Sequence, residues 1–442
     1  MEFNRLYRKM SAPRKFQFSR KAAATSGITA SVEPVFKSVV QPSKLTLYFT
    51  LTPTDVAYAN TLRRVILTEV ETIGFRAEIL ENGQTSDVSI TKNSTPMSNE
   101  MLSHRIGLLP IFVSNPLEWN PAEYTFKLDV TNKSPDPLDV KAADIQVFKN
   151  RGPDEDPLPI PSTEFFQLDP ISKDTALLAV LKGAVVNQEN EQIVFTAKAT
   201  AGIGRENARF NPVCQCSYKY TLDESPERRK MFFNTWLQSH KKIDPSTLES
   251  NAVRKGELER EFATMEVDRC FLINERGEPY SFDFVVESIG VLDPYYIVAR
   301  AIQVIQAKLI KYASIDTGDL PESVSIRPAD ARMKGYDFVF QGEDHTLGNL
   351  LQTWMDANLL DAGEITFIAY KVPHPLKDEM LLRVGVEDGK ETSARVAIVK
   401  AIRALTQMFK GWGVSWASQG SSAAAPPAAG TIRSALEAKR GM

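Results

Sequence analysis

At 442 residues the chain has room for two or three domains, and its 43% hydrophobic and 24% charged residues are ordinary globular values. A net charge of −3 gives no support for a protein that coats nucleic acid by itself. Cys214, Cys216 and Cys270 are too few for a disulfide framework and fit a reducing compartment, and no apolar run approaches the length of a membrane span.

Residues 1–40 read as an N-terminal arm that lacks the apolar core of a secretory signal, and its first 21 residues are basic: Arg5, Arg8, Lys9, Arg14, Lys15, Arg20 and Lys21 stand against Glu2 alone. The favoured reading is a solvated, flexible arm; a transit peptide or a nucleic-acid contact is the sharper one. Both sharper readings lack a clear helical face. "KLTLYFTL", Lys44 to Leu51, alternates as a strand does. Pro53 and Asp55 open a helix whose Val56, Ala59, Leu62, Ile66 and Val70 make one apolar face, with Asn60, Arg63, Arg64 and Leu67 on the other side.

Residues 74–218 have a different texture. Strand-like pieces such as "YTFKLDV" and "QIVFTAKA" alternate with Pro- and Asp-rich turns, which predicts a β-rich insert. A charged, helical segment with "DESPERRK" and "RKGELEREF" follows. Then come the strand "PYSFDFVVESIG" and a helix begun by Asp293 and Pro294, with Val298, Ile302, Ile305 and Leu309 as its buried stripe. The first unit is thus discontinuous, 41–73 and 219–312. Residues 313–329 read as a linker, 330–411 as a second compact unit, and 412–442, with "SQGSSAAAPPAAG", as a low-complexity tail.

The chain repeats itself. At the spacing of 289 that carries Asp55 to Asp344, Asn60 meets Asn349, Leu62 meets Leu351 and Ala59 meets Gly348. At a spacing of 100, Val298, Ile302 and Ile305 meet Ile398, Ile402 and Leu405, Arg300 meets Lys400, and Val286–Glu287 meets Val386–Glu387. Two helix pairs and a strand pair in the same order make coincidence the poorer explanation. Two related units, each with an apolar helical face, imply pseudo-twofold pairing, made intramolecular by fusion. The dimerisation interface expected from this comprises Leu62, Ile66, Val298, Ile302, Ile305, Leu347, Gly348, Asn349, Leu350, Leu351, Ile398, Ile402 and Leu405. Gly348 would let helices approach closely there, and Asn349 would hydrogen-bond across. The simpler reading is a tolerated local defect.

"EDHTLGNLL" followed by "FIAYKVPHPL" resembles the eleventh subunit of eukaryotic RNA polymerase II and its archaeal counterpart. The first unit resembles the third-largest subunit, through "ANTLRRVILTEV", the Glu100, His104 and Arg105 spacing of "SNEMLSHRIGLLPI", "GIGRENARFNPV" and "VESIGVLDPYYIVARAI". The bacterial α subunit is the common relative of both. The resemblance covers most of residues 41–410, and both halves on one chain look like the fused subunit of polymerases encoded by large DNA viruses. It implies an α+β fold: two pseudo-symmetric α-subunit-like dimerisation units in one chain, the first interrupted by the β-rich insert.

The resemblance further implies a non-catalytic assembly platform of a DNA-directed RNA polymerase. The two units would pair in cis and dock the largest and second-largest subunits, with small subunits like the tenth and twelfth of the eukaryotic enzyme. DNA would be met only indirectly, and no membrane is expected. Asn60, Arg63, Arg64 and Leu67 inherit the interface with the second-largest subunit; arginine's always-charged fork suits carboxylates or backbone carbonyls there. At the 289 spacing the arginines become Gln352 and Thr353, so only the first unit keeps that grip. The fused arrangement implies a viral factory in host cytoplasm and the virion, with the nucleus as the alternative.

No cofactor or metal is expected. Cys214-x-Cys216 with Cys270 and distant His240 makes a poor zinc set, and two cysteines sharing one strand face read better as small core residues. Many relatives of the third subunit carry a zinc loop after the stretch matching "HRIGLLP"; here "IFVSNPLEWNPAEYTF" has no cysteine. The same absence counts against an iron–sulfur cluster. His345 and His374 stand without a nearby nucleophile or carboxylate pair, which argues against the rival reading as a free-standing hydrolase. A promoter DNA-binding role like that of the bacterial α C-terminal domain finds no room in the short Ala/Pro-rich tail.

Overall fold

The computed structural model describes residues 35–423, apart from 79–86, 153–154, 249–251, 319 and 331–332. Most of the basic arm and the end of the tail, 1–34 and 424–442, lie outside the described residues.

In chain order the first repeat opens with β1 (Phe36–Val40), β2 (Thr46–Leu51) and α1 (Val56–Thr68). The chain leaves it through β3 (Glu71–Gly74) for the insert: β4 (Val88–Asn93), α2 (Asn99–Gly107), β5 (Tyr124–Thr131), β6 (Leu138–Lys141), β7 (Gln146–Lys149), β8 (Leu158–Ile160), β9 (Leu177–Leu181), β10 (Gln192–Ala197) and β11 (Thr200–Ile203). It returns in β12 (Val213–Tyr220), makes a helical excursion through α3 (Pro226–Trp236), α4 (Pro245–Leu248) and α5 (Ala252–Met265), and closes with β13 (Phe282–Ser288) and α6 (Pro294–Ile310). The second repeat is compact: β14 (Val324–Pro328), β15 (Gly335–Gln341), α7 (His345–Met355), β16 (Phe367–Lys371), β17 (Glu379–Gly385) and α8 (Glu391–Ala423).

Each repeat is therefore two strands, a helix, two strands, a helix. Its sheet is antiparallel, ordered β1-β2-β13-β12 in the first and β14-β15-β17-β16 in the second. The repeat visible in the sequence covers only the helix–strand–helix part of this unit. The helices start the same way in both. Asp55 accepts from the Ala57 N–H at 2.7 Å and Asp344 from the Thr346 N–H at 2.7 Å, satisfying donors that a helix start leaves free. Asp293 does this for α6.

α1 packs on α7 and on α6, and α8 lies along both α6 and α7. The four helices sit between the two sheets' inner faces, in one contiguous core running from Phe36 to Trp416. The insert has a core of its own, among them Phe75, Leu102, Phe126 and Phe195, beneath a five-stranded sheet ordered β4-β10-β5-β7-β8. The excursion holds a third, small cluster around Trp236, Leu237, Leu258 and Phe262.

Several expected boundaries fall differently. Phe36, read as part of the arm, is fully buried in strand β1, and β12 begins at Val213, inside the span read as insert. The stretch read as a linker carries β14, the edge strand of the second sheet, and Ile315, which is fully buried. The stretch read as tail from 412 is helical through Ala423, because Trp412 and Trp416 extend the apolar stripe of α8 onto β1. Cys214 and Cys216 do not share a face: a register shift between Val213 and Gln215 leaves Cys214 exposed and Cys216 buried.

Candidate assembly interface

The apolar residues expected at a dimerisation interface meet in the common core. Leu62, Ile66, Val298, Ile302, Ile305, Leu347, Leu350, Leu351, Ile398, Ile402 and Leu405 are all buried there. Gly348 is buried and Asn349 half-buried. The close approach at Gly348 is made by an aromatic ring of its own repeat rather than by a facing helix. A Cβ at that position would stand 2.4 Å from Cδ2 of Tyr370 on β16, well inside contact distance. The absent side chain is a seat for that ring.

Beyond position 411, α8 crosses the first repeat as a clasp. Trp416 is 1% exposed; it stacks on Tyr295 with ring centres 4.6 Å apart and meets Phe36 and Phe49 edge-on. Its indole N–H donates to the Tyr295 carbonyl at 3.1 Å, and the Tyr295 hydroxyl donates to the Trp416 carbonyl. Gln306 donates to the Phe409 carbonyl at 3.1 Å nearby. The spacing 402, 405, 409, 412, 416 is a regular helical stripe, and it was the signal that could have revealed the clasp.

Polar groups lock the other side of the junction. Arg64 donates to the Thr346 hydroxyl at 2.8 Å and to the Asp344 carboxylate at 2.9 Å, both at the start of α7. Lys308 of α6 pairs with Glu69 at 3.1 Å and with Glu343 at 3.3 Å, and Tyr312 donates to Glu343 at 2.9 Å. Arg205, in the loop after β11, reaches Asp378 at 2.6 Å and the Gly342 carbonyl at 2.9 Å, with Glu69 at 3.6 Å. That arginine lies in the "GIGRENARFNPV" stretch, to which no role was assigned from sequence, and it ties the root of the insert to both repeats.

Adjacent carboxyls in this junction shift in opposite directions. Burial pushes Glu343, 4% exposed, above the usual carboxylate range, although Lys308 and Tyr312 pull it back. Burial acts on Asp344 too, but the Thr346 bonds and the positive Arg64 and Arg205 outweigh it and hold the group below that range.

The neighbouring arginine turns elsewhere, since one residue is about 100° of rotation on a helix. Arg63 donates to the Asn60 side chain at 2.9 Å and borders an open cleft of about 500 Å³ with Tyr218, Tyr220 and Asp268. Leu67 is half-buried against the core. Cys216, beneath the cleft, has its thiol pushed up to about 12 by burial, which makes it unreactive.

In the insert, Arg105 of α2 donates to the Leu178 and Leu177 carbonyls at 2.8 and 2.7 Å, bracing β9, while Glu100 and His104 are exposed. His345 faces the Tyr370 hydroxyl at 3.4 Å, and a ring nitrogen of His374 accepts from the Leu376 N–H at 3.1 Å. Among the described residues no three His, Cys, Asp or Glu stand together as a metal site, and no helix is long and apolar enough to cross a membrane.

Residues 48–309 match the RNA polymerase Rpb3/Rpb11 dimerisation domain, and residues 336–412 match a second model of the same description. The first match alone spans more than half of the chain. The chain belongs to the Rpb3/Rpb11 dimerisation family. It is an α-like member of the family with both dimerisation domains fused in one polypeptide. Over 274 residues it is 26% identical to DNA-directed RNA polymerase II subunit RPB3 of Schizosaccharomyces pombe, covering 60% of this chain and 82% of the relative. Subunit rpb3 of Dictyostelium discoideum is 24% identical over 294 residues, 60% of this chain and 88% of the relative. RPAC1 of human RNA polymerases I and III is 24% identical over 310 residues, 62% and 82% of the two chains.

Proposed function

We propose that this protein is the non-catalytic assembly platform of a multisubunit DNA-directed RNA polymerase. The observation that carries the reading is the single buried core to which α1, α6, α7 and α8, two helices from each matched domain, all contribute. Such a core holds the outward faces of both repeats in fixed relation, so large partners dock on a pre-formed surface and lose less freedom in doing so. Pairing in cis is favoured by the clasp: Trp416 buries itself on the first repeat of its own chain.

The docking face for the second-largest subunit is the outer side of α1, with Asn60, Arg63 and the half-buried Leu67 beside the open cleft. Arg63 is the charged anchor; Arg64, engaged with Asp344 and Thr346, holds the second repeat in register. The largest subunit and small subunits like the tenth and twelfth of the eukaryotic enzyme take the remaining faces. The fused arrangement supports a setting in a large DNA virus, with work in cytoplasmic factories and the virion.

The test is a tagged pull-down of the full chain with Arg63→Glu and Arg64→Glu made separately. The wild type is expected to bring down two large polymerase subunits. Arg63→Glu should lose the second-largest one at unchanged thermal stability, and Arg64→Glu should lower the melting temperature first. Retention of the second-largest subunit by Arg63→Glu would remove the anchor role. Capture of no polymerase subunit by the wild type would sink the platform reading.

A further inference from the structure

A second cleft, of about 650 Å³, opens where the insert meets the first repeat. That is the size of a specific ligand groove. Its insert wall is aromatic and fixed. Trp119 stacks on Tyr124 with ring centres 4.6 Å apart, and its indole N–H donates to the Ala199 carbonyl at 2.8 Å. Phe165 meets Tyr124 edge-on at 5.5 Å. The facing wall is the Gly290–Asp293 turn before α6. Four carboxylates line the space (Glu118, Glu123, Glu164 and Asp293), and among the described residues no Lys or Arg does.

The acids are not equivalent. Lys149, just outside, lies 3.9 Å from Glu123 and 5.6 Å from the Tyr124 ring centre, so one ammonium already rests between a carboxylate and an aromatic face here. Asp293 accepts from the Tyr295 and Tyr296 N–H groups, so the start of α6 has no free donors for an anion. Glu118 and Glu164 are exposed and enter no ion pair among the described residues. The groove thus combines flat rings with unanswered negative charge, which favours cations and repels phosphate.

We propose that this cleft docks an extended, Lys/Arg-rich segment of a partner polypeptide. Alternate side chains of an extended chain project to one side roughly 7 Å apart. Cations on such a chain answer the unpaired Glu118 and Glu164 while their methylene stems lie on Trp119 and Tyr124. Because the two walls belong to separately cored bodies, the bound segment fastens the insert against the first repeat.

The experiment uses the full chain and a fluorescein-labelled octapeptide of alternating Lys and Ser, read by anisotropy. Its counterpart with Glu for Lys and a single-stranded oligonucleotide are the comparison probes. The lysine peptide is expected to bind saturably, and Glu118→Gln/Glu164→Gln to weaken it about fivefold or more, as for two exposed ion pairs. Glu257→Gln/Glu259→Gln on α5 should leave binding unchanged. Binding should also alter tryptophan emission, and Trp119→Phe should abolish that change. Equal loss in the cleft and α5 variants would overturn the proposal, as would no binding of the lysine peptide, or competition for the site by either comparison probe.

Discussion

The two repeats share a topology and differ where the inner helix meets the edge strand. In the second repeat that space is closed: Tyr370 of β16 lies on Gly348, and the Gln352 side chain accepts the Tyr370 N–H at 3.0 Å. In the first, Ala59 stands where Gly348 would, Arg63 where Gln352 would, and a cleft opens beside β12. One further pair separates them. Arg300 grips Glu71 through two hydrogen bonds and is 18% exposed, whereas Lys400 meets Glu364 with half its surface in water. The two repeats are alike on their inner face and differ on their outer face. The first repeat is built to present a charge, the second to fill its own groove.

The largest expected effect comes from removing the far end of α8, which runs past the point where its first-repeat counterpart ends. α6 stops at Ile310, while α8 runs on to Ala423. Trp416→Ala should cost about 3–5 kcal/mol, the range for emptying a buried aromatic site. It should lower the urea midpoint and, in size-exclusion chromatography with light scattering, yield dimers in which repeats have exchanged. A midpoint within error of the wild type would mean that the clasp does not hold the repeats together. A smaller loss, about 2–3 kcal/mol, is expected for Gly348→Val, because the new side chain must displace the Tyr370 ring. Ala59→Gly, its first-repeat counterpart, should cost only about 1 kcal/mol. Equal losses in the same denaturation assay would erase the distinction between closed and open grooves.

The central strands supply the smallest test. In the second sheet Asp337 lies opposite Arg383 and takes two hydrogen bonds from it; in the first, Asp283 lies opposite Thr50 and accepts from its hydroxyl at 2.8 Å. The Arg383 bonds outweigh burial and, with Arg327 nearby, hold the Asp337 carboxyl below its usual range. A lowered carboxylate pKa stabilises the fold above the unfolded value and loses that contribution as pH falls through the folded one. Asp337→Asn should therefore cost about 1–2 kcal/mol at neutral pH. The gap to wild type should narrow below about pH 4. A gap that widens on acidification would put the ion pair's role in doubt.

Much of this arrangement was written in local pattern. The stripes of α1 and α6 recur in α7 and α8, so the repeat could be read at two fixed spacings, and the helix starts were marked by Asp55, Asp293 and Asp344. What escaped had identifiable causes. β1 hid at the end of a basic stretch. Trp412 and Trp416 sat among Gly, Ala and Ser, whose composition masked a continuing period. β12 lost its alternation to a bulge. Asn60, Arg63, Arg64 and Leu67 read as one outward group, but Arg64 meets a partner 280 positions away, which no local rule could supply. Gly348 was recognised as unusual, yet its reason, a ring on a strand some twenty residues later, belonged to tertiary packing.

The clasp also has a consequence in time. The apolar sides of α1 and α6 are complete once Ile310 leaves the ribosome, but Trp412 and Trp416 follow about 100 residues later. At synthesis rates of about 5–20 residues per second, the first repeat waits roughly 5–20 s for these two tryptophans, although α7, which packs on α1, emerges earlier. During that interval a nascent neighbour on the same message can take the seat, so the speed of translation governs how often two chains become entangled.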